Sequence, residues 1–318
     1  MTTEAKPAFY MLAEGPVPII LDTDIGPDCD DAGAVAVLHA LQSEGRLRTV
    51  GMMHNTSSPW GAGCLDAINV YYGRGDIPVG TLENPGFLVG EPYEKYNRLI
   101  ATSCHNRYPE GRSVPDATSL YRQLLAEAED GSVVIVAIGP LINLMHLLLA
   151  DVDPEADAVS RLTGVELAAL KVKHLIVMGG HFPAGKEWNF EMHPGSAAYV
   201  CANWPTSITF TGYEIGAAIP TGARLLAEAP DEHPVRRSYA AHLGEEPTRP
   251  SWDLTGVLYA ARGAAPYWDI VRGRIIVDPE SGANGWMDDP SGPHAYLVEK
   301  QAPASIAELL EELLVREP

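Results

Sequence analysis

The stretch that decides the fold runs from Val17 to Leu38 and reads Val17-Pro-Ile-Ile-Leu-Asp22-Thr-Asp24-Ile-Gly26-Pro-Asp28-Cys-Asp30-Asp31-Ala-Gly-Ala-Val-Ala-Val-Leu38. Its apolar run, residues 19–21, predicts a buried strand. Gly26 and Pro27 end that run, because glycine and proline interrupt regular structure. Small apolar residues from Ala32 to Leu41 then predict a helix. The stretch is therefore expected to form a strand, an acidic loop and a helix.

The acidic loop carries five aspartates, Asp22, Asp24, Asp28, Asp30 and Asp31. At neutral pH these carboxylates repel one another by roughly 1 kcal/mol or more per close pair. No lysine or arginine lies between positions 6 and 46 to relieve that repulsion. The simplest counter-charge is a metal ion, and all-oxygen ligands favour Ca²⁺ or Mg²⁺ over Zn²⁺. Capping of the helix N-terminus is the alternative, but it accounts for only one or two aspartates.

The composition is acidic, with 22 Lys and Arg against 42 Asp and Glu and a formal net charge of -20. This balance argues against nucleic acid and anionic membranes as partners, since clustered basic residues hold phosphates. It also disfavours a multiply phosphorylated substrate. The sequence contains neither a Walker-type loop nor a dinucleotide-binding fingerprint. We therefore expect a neutral substrate in a pocket without cations.

The cysteines and the N-terminus indicate the compartment. The four cysteines are scattered, with no CxxC pair, so neither a zinc knuckle nor a disulfide framework is indicated. Free cysteines in a chain of this size suggest a reducing compartment. Residues 1–16 lack the basic start and apolar core of a signal peptide, and no apolar run is long enough to span a membrane. The sequence predicts a cytoplasmic protein.

Predicted strands and helices alternate along the chain, which favours an α/β fold with a mostly parallel, doubly wound sheet flanked by helices. We expect one such domain over residues 1–318, with residues 1–16 as an N-terminal extension. Ligands of these sheets bind at the carboxyl ends of the strands. The polar segments at those ends are residues 22–31, 52–55, 138 and 179–189. The long stretch from Leu82 to Pro115 is either a cover for that crevice or a surface excursion that packs on itself.

Three separated motifs carry a resemblance to a known family. They are Asp22-Thr-Asp24-Ile-Gly26-Pro-Asp28-Cys-Asp30-Asp31-Ala, then Val177-Met-Gly-Gly180 with Glu187-Trp-Asn189-Phe and Pro194, and finally Trp252-Asp253-Leu254. In this order they resemble the nucleoside hydrolases, the calcium-dependent inosine–uridine preferring nucleoside N-ribohydrolases. Gly139-Pro140-Leu141 and Asn143 fit the same pattern. The resemblance extends from about residue 19 to residue 277.

The resemblance implies a role for each matching residue. The ligands of Ca²⁺ would be Asp24, Asp31, Asp253 and the backbone carbonyl of Ile138. Contacts to the ribose would come from Asp30, Glu187 and Asn189. Asn55 is a further candidate, in a loop that is harder to align with the family pattern. Asp22 would support the ligands from behind. The family also implies a role in nucleoside salvage and assembly as a homodimer or homotetramer.

The chemistry of the residues agrees with this activity. Hydrolysis of an N-glycoside passes through a state with positive charge on the sugar, and a carboxylate-lined pocket stabilises that charge. Calcium can hold the sugar diol and a water molecule whose pKa it lowers. Asp24 can then accept the water's proton as general base. A neutral nucleoside suits such a pocket.

The chain departs from the family pattern at two points. The loop has two more residues between Asp24 and Asp31 than the shortest family motif, so Asp28 either joins the metal or lies behind it. Trp252 replaces the histidine that precedes the late aspartate in members accepting several bases. Its indole cannot protonate a base but can stack on one, which favours purine substrates; the alternative is that Trp252 fills the core.

Other side chains could complete the base site. His54, His181 and His193 follow predicted strands and are candidates for the leaving-group acid, although each is more simply a structural histidine. A second stacking face could come from Trp60, Phe87 or Tyr93, all of which lie in loops.

Three other classes of protein share some of these sequence features. Aspartyl-phosphate phosphatases also begin with a strand and DxD, but Gly26 stands where they place Thr or Val, and no lysine is placed to hold phosphate. An EF-hand is excluded because Gly33 stands where its loop needs glutamate. A non-catalytic calcium-dependent protein that binds ribose or nucleosides remains an alternative.

Overall fold

A nine-stranded sheet forms the centre of the protein, in the order β10-β9-β11-β6-β5-β4-β1-β2-β3. The computed structural model describes residues 15–111, 113–152 and 160–318. Within these residues the strands are β1 (Val17–Thr23), β2 (Leu47–His54), β3 (Val79–Thr81), β4 (Val133–Ala137), β5 (Val172–Met178), β6 (Ile208–Thr211), β7 (Pro220–Thr221), β8 (Arg249–Pro250), β9 (Trp268–Val277), β10 (Asn284–Asp288) and β11 (His294–Glu299). Strands β7 and β8 form a separate two-stranded pair.

The sheet is mostly parallel. Strands β1 to β6 pair in parallel with their neighbours, and β11 is parallel to β6. Within the described part of this nine-stranded sheet, only the pairings of β9 with β10 and β11 are antiparallel. The parallel strands consequently end at one edge of the sheet, where open α/β folds bind their ligands. The predicted fold class is confirmed.

Helices cover both faces of the sheet. Successive residues of a strand point to opposite faces; on β1, Ile19 and Leu21 join one core while Ile20 joins the other. The helices of the described part are α1 (Asp30–Ser43), α2 (Gly61–Tyr71), α3 (Asn97–Ser103), α4 (Ala117–Glu127), α5 (Ile142–Leu149), α6 (Gly164–Lys171), α7 (Trp188–Met192), α8 (Pro194–Asn203), α9 (Tyr213–Ala217), α10 (Ala223–Glu228), α11 (Pro234–Leu243), α12 (Trp252–Arg262) and α13 (Pro303–Leu314).

The loop between β1 and α1 depends on Gly26. Its φ of +149° lies where side chains are strongly disfavoured. A Cβ atom there would lie 2.3 Å from the Asn97 amide nitrogen and 2.6 Å from the Tyr93 carbonyl oxygen. The Asn97 amide donates a 3.0 Å hydrogen bond to the Ile25 carbonyl. The segment that follows β3 is thereby fixed against the acidic loop.

The elements agree with the sequence pattern most closely near the site. The first strand and helix extend the predicted segments at both ends, and β5 has the predicted bounds. The stretch from residue 82 to 115 contains α3 and two short 3₁₀ helices, and its Pro92, Tyr93 and Lys95 line the principal cavity. The predicted N-terminal extension falls largely on residues 1–14, which lie outside the described residues.

Candidate active site

A cavity of about 380 Å³ opens at the carboxyl edge of the sheet. It is rich in carboxylates and aromatic rings, and separate parts of the chain contribute to it. The lining residues are Asp24, Pro27, Asp28, Asp30, Asp31, Pro92, Tyr93, Lys95, Ile138, Met178, Glu187, Trp188, Asn189, Tyr213, Arg249, Trp252 and Asp253. The segments placed at the strand ends by sequence therefore converge, with the exception of residues 52–55.

Three carboxyl groups meet closely in the floor of this cavity. Asp30 and Asp31, in the first turn of α1, and Asp253, in the first turn of α12, each offer an oxygen that lies within 4.8 Å of the other two. Asp24 and Ile138 line the same cavity. The Asp24 and Asp31 carboxyl groups are also hydrogen-bonded neighbours. The four residues predicted as metal ligands thus line one cavity, and the group with metal-ligand spacing consists of Asp30, Asp31 and Asp253.

Local hydrogen bonds fix the orientation of these groups. The Thr23 hydroxyl donates a short hydrogen bond to Asp31 Oδ1. Asp30 Oδ2 accepts a 3.1 Å hydrogen bond from the Asp253 backbone N–H, which ties the first turn of α12 to the first turn of α1. Gly139 leaves room behind Asp24, because a Cβ atom there would lie 2.6 Å from Asp24 Oδ1. The cluster is therefore held in place by its supporting backbone.

Burial and mutual repulsion raise the pKa of every carboxyl in the cluster. Burial, followed by repulsion from Asp28 and Glu187, raises the pKa of Asp24 to about 8. Burial raises the pKa values of Asp30, Asp31 and Asp253 well above the usual range, and their carboxylate neighbours add to the shift. Such a cluster is costly when ionised unless a cation compensates it.

The donor set suits a divalent cation. Every side-chain donor in the cluster is a carboxylate oxygen, and the Ile138 carbonyl adds a neutral oxygen at the same wall of the cavity. Hard cations such as Ca²⁺ and Mg²⁺ take ligand sets of this kind. The acidic residues of the cluster come from α1 and α12, two helices that are far apart in sequence.

Glu187 and Asn189 form the next wall of the cavity. Glu187 accepts hydrogen bonds from the backbone N–H groups of Asn189 (2.8 Å), Gly180 (3.1 Å) and Phe190 (3.3 Å), and so caps α7. Burial raises the pKa of Glu187 to about 7, against the effect of these donors. The Asn189 amide donates to the Met178 carbonyl (3.1 Å) and, at 3.4 Å, to the Ile138 carbonyl. Both side chains are thus held rigidly at the cavity wall.

Asp22 and Asn55 lie behind the cavity and do not line it. The Asn55 amide donates a 2.7 Å hydrogen bond to Asp22 Oδ1, while the Tyr121 hydroxyl (2.8 Å) and the Asn143 amide (3.2 Å) donate to Oδ2. Burial raises the pKa of Asp22 to about 6, and these donors act against that rise. Asp22 therefore has the supporting position expected for it. Asn55, expected beside the sugar, instead holds Asp22.

The expectation of a pocket without cations is wrong, because Arg249 and Lys95 both line the cavity. Arg249 Nε lies 2.9 and 3.0 Å from the two carboxylate oxygens of Asp28, and Nη2 makes a further short contact with Oδ2. His242 Nε2 lies 3.4 Å from Asp28 Oδ1. Asp28, whose role the sequence left open, is thus paired with Arg249. Repulsion in the acidic loop is relieved in part by this ion pair.

Aromatic rings surround the outer part of the cavity. The ring of Trp252 stacks on that of Tyr213, with a centroid distance of 5.6 Å and an interplanar angle of 27°, and its Nε1 donates to the Tyr213 carbonyl at 3.0 Å. Tyr93 and Trp188 also line the cavity. Trp252 therefore lines the cavity while part of its side chain packs against the core. Trp60 and Phe87, considered as stacking partners, are not among the residues described at the cavity wall.

None of the three candidate acid histidines lines the cavity. His54 is buried between the hydroxyls of Thr56 and Thr81, at 2.9 and 3.1 Å. His193 caps α8 through its Nδ1, which accepts a 3.1 Å hydrogen bond from the backbone N–H of Ser196. His181 contacts Tyr213 from outside, with 5.5 Å between ring centroids. Their roles are consistent with packing and capping.

A family model identifies the relationship that these motifs suggested. The model of the inosine-uridine preferring nucleoside hydrolase family matches residues 19–279. The chain belongs to this family. As a nucleoside hydrolase it is an enzyme, a nucleoside N-ribohydrolase. The resemblance drawn from the three motifs is confirmed.

Solved structures of nucleoside hydrolases share the fold. A plant nucleoside hydrolase is 21% identical, with a TM-score of 0.67 over 94% of this chain and 99% of that chain. The inosine-uridine preferring nucleoside hydrolase from Bacillus anthracis is 14% identical, with a TM-score of 0.68 over 94% and 99%. The purine-preferring ribonucleoside hydrolase from Gardnerella vaginalis is 14% identical, with a TM-score of 0.68 over 93% and 98%. A search of curated protein sequences finds no significant match to the chain.

Sequence reasoning missed several residues of this nucleoside hydrolase site. Arg249 and Tyr213 lie in segments without a clear periodic pattern, and Trp188 was noted only as a spacer between Glu187 and Asn189. An arginine shortly before Trp252-Asp253 was the one available signal for a cation beside the site.

Free cysteines were predicted, and all four are free in the structure. Among the described residues, no helix combines the length and the apolar character that crossing a membrane requires.

Proposed function

We propose that the protein hydrolyses the N-glycosidic bond of ribonucleosides to free base and ribose with Ca²⁺ as cofactor, and that it prefers purine nucleosides. The observation that carries this proposal is the meeting of Asp30, Asp31 and Asp253 in a cavity that also contains Glu187 and Trp252. A cation site, a polar wall for a sugar and an aromatic face for a base therefore adjoin one another.

The ion would be held by the carboxylates of Asp24, Asp31 and Asp253 and by the Ile138 carbonyl. When bound, Ca²⁺ supplies positive charge that orients a sugar diol and increases the acidity of water. The position of Asp30 beside Asp31 and Asp253 supports a grip on a ribose hydroxyl from the same floor. The Asp253 N–H already occupies one Asp30 oxygen, which leaves the other for the sugar.

The sugar would bind between this floor and the wall formed by Glu187 and Asn189. The Asn189 amide nitrogen is engaged by backbone carbonyls, so its Oδ1 is the atom suited to accept a hydrogen bond from a ribose hydroxyl. Glu187 keeps acceptor capacity beside its three backbone donors. Carboxylates around the ribose stabilise the positive charge that develops on it as the base departs.

Asp24 is the proposed general base. It lines the cavity beside Asp31, and its pKa of about 8 without a counter-charge is set mainly by burial. An adjacent cation favours the ionised carboxylate, which is the form that accepts a proton from the attacking water. Asp22 would act indirectly, because it fixes the end of β1 next to Asp24.

The preference for purines is supported by Trp252. Its ring lines the cavity, and stacking on Tyr213 fixes its orientation. A larger base gains more from stacking on a fixed aromatic face. The cytoplasmic location, the role in nucleoside salvage and the assembly as a homodimer or homotetramer are part of the same proposal.

The direct test is release of ribose from inosine, guanosine, adenosine and uridine, with Ca²⁺ and with a chelator. We expect release with Ca²⁺, faster from the purine nucleosides, and loss of turnover in Asp24→Asn. Asp269→Asn is the matched control, because Asp269 is a surface carboxylate paired with Lys300. Binding of nucleosides without release of ribose would contradict the proposal and favour a non-catalytic binding protein.

A further inference from the structure

Arg249 is the feature of the cavity that the proposed function does not use. Its guanidinium carbon lies over the Trp252 ring, 5.1 Å from the ring centroid, so the cation packs on the aromatic face. Nε and Nη2 bind Asp28, while Nη1 has no hydrogen-bond partner among the described residues. The side chain is 34% exposed and lines the cavity. Arg249 thus presents free donors to whatever occupies the space beside Trp252.

The surroundings hold this guanidinium in one orientation. Asp28 Oδ1 accepts a 2.7 Å hydrogen bond from the Cys29 backbone N–H, and His242 lies beside the same oxygen. The Tyr96 hydroxyl donates to the Asp28 carbonyl at 2.7 Å. An arginine fixed by a carboxylate on one side and an aromatic ring on another loses little entropy when it binds a ligand.

The position of Arg249 corresponds to the base rather than the sugar. Trp252, which it contacts, immediately precedes Asp253 in the floor of the cavity, and Asp28 precedes Asp30 by two residues. The arginine thus contacts Trp252 and Asp28 and not the three carboxylates of the floor, Asp30, Asp31 and Asp253. The base is the part of a nucleoside that extends outward from the sugar.

We propose that Arg249 binds the departing base and selects 6-oxopurines; this assignment rests on the proposed function for its catalytic part. With Nε and Nη2 on Asp28, Nη1 and the second N–H of Nη2 remain to donate to O6 and N7, the acceptors that arginine binds on guanine-type bases. Adenine retains the N7 acceptor but presents an amino donor at position 6, which opposes a guanidinium. Pyrimidines lack N7. Hypoxanthine and guanine are thus the bases that Arg249 fits.

The same contact would assist the reaction. When the bond between C1′ and N9 breaks, its electron pair goes to the base and C1′ gains the hydroxyl of water. The second proton of that water goes to Asp24 and the base takes a proton from solvent, so the overall reaction balances. The donors of Arg249 stabilise the negative charge on the base during this step. A fixed cation replaces the general acid that no histidine supplies at the described cavity wall.

A phosphate is a poorer match for the same arginine. The described lining of the cavity contains six acidic side chains against two cations, Arg249 and Lys95. A dianion would have to enter against that field. A nucleoside 5′-monophosphate therefore serves as a competing ligand in the test.

The first test is binding of free bases, followed by calorimetry and by quenching of tryptophan fluorescence. We expect hypoxanthine to bind more tightly than adenine in the wild-type protein, and Arg249→Gln to weaken hypoxanthine about 10- to 100-fold, as the loss of a charged hydrogen bond does. Arg249→Lys keeps the charge without the fork and should restore little of this affinity. Unchanged hypoxanthine binding in Arg249→Gln, with a melting temperature near that of the wild type, would overturn the assignment.

The second test is kinetic. Arg249→Gln should lower kcat/KM for inosine about 10- to 100-fold and change it less than about 3-fold for p-nitrophenyl riboside, whose leaving group needs no stabilisation. The double variant Asp28→Asn/Arg249→Gln, which leaves no unpaired carboxylate, should show the same pattern. Equal losses on both substrates, or faster release of base from inosine 5′-monophosphate than from inosine, would overturn the assignment. Arginine-dependent binding of hypoxanthine without hydrolysis of either riboside would contradict the proposed function and leave the base assignment standing.

Discussion

Without a divalent cation, the protein should lose stability as the pH rises from about 5 to about 8. Burial raises the pKa of Glu187 from 4.5 to about 7 and that of Asp24 from 3.8 to about 8. Each group then holds a proton in the folded state that it releases on unfolding. The stability that each group contributes is complete at pH values below its pKa in the unfolded state. It is lost as the pH rises through the pKa of the group in the folded state.

The size of the effect follows from the number of such protons. Each carboxyl group that stays protonated in the folded state and ionises on unfolding lowers the free energy of unfolding by up to about 1.4 kcal/mol per pH unit as the pH rises. With Asp24 and Glu187 both neutral, the loss is up to about 3 kcal/mol per pH unit between about pH 5 and 7. For a chain of this size about 2 °C corresponds to 1 kcal/mol, so the melting temperature should fall by up to about 6 °C per pH unit.

Calcium should remove most of this dependence, because the carboxylates are ionised beside a bound cation at every pH in the range. The assay is differential scanning calorimetry in a chelator and in Ca²⁺ across that range. Glu187→Gln should reduce the slope in the chelator by up to about 1.4 kcal/mol per pH unit, whereas the surface variant Asp269→Asn should leave it unchanged. The reasoning is refuted if the melting temperature in the chelator does not depend on pH, or if Ca²⁺ stabilises the protein equally at about pH 5 and about pH 8.

Three further substitutions test separate parts of the site. Trp252→Ala should lower kcat/KM for inosine more than for uridine, by roughly 1–3 kcal/mol for the lost stacking; an equal loss on both would remove the support for stacking. Gly139→Ala should lower kcat, because its Cβ would lie 2.6 Å from Asp24 Oδ1, whereas Gly285→Ala, with nothing within 4 Å of the added atom, should be silent in the same assay. Tyr121→Phe removes the 2.8 Å hydrogen bond to Asp22 and should destabilise the protein by about 0.5–1.5 kcal/mol in urea unfolding; no change would indicate that this bond does not hold Asp22.

The first half of the fold could be predicted because its signals are local. The apolar run of β1, the break at Gly26 and the small residues of α1 each specify their own structure over a few positions. The meeting of Asp24, Ile138 and Glu187 followed from topology alone, since parallel strands end at one edge. The strands β9 to β11 have a weak apolar pattern, because many of their residues are partly or fully exposed, and β10 alone of the three lies at the sheet edge.

The parts of the site that sequence could not give depend on partners far along the chain. The ion pair between Asp28 and Arg249 joins residues 221 positions apart, so the repulsion in the acidic loop looked uncompensated. Asn55 was expected at the sugar, but the turn of its side chain toward Asp22 is decided by tertiary packing. Tyr213 is placed by its stacking on Trp252 and not by any local motif.

The proposed function requires that carboxylates from the two ends of the chain hold one divalent cation. Calorimetric titration of Ca²⁺ into cation-free wild type and Asp253→Asn tests it most directly, with Asp269→Asn as the control. We expect one Ca²⁺ per chain in the wild type and the control, at least about 10-fold weaker binding in Asp253→Asn, and loss of ribose release in parallel. Calcium binding of wild-type strength in Asp253→Asn, or ribose release that is unaffected by chelation, would contradict the claim.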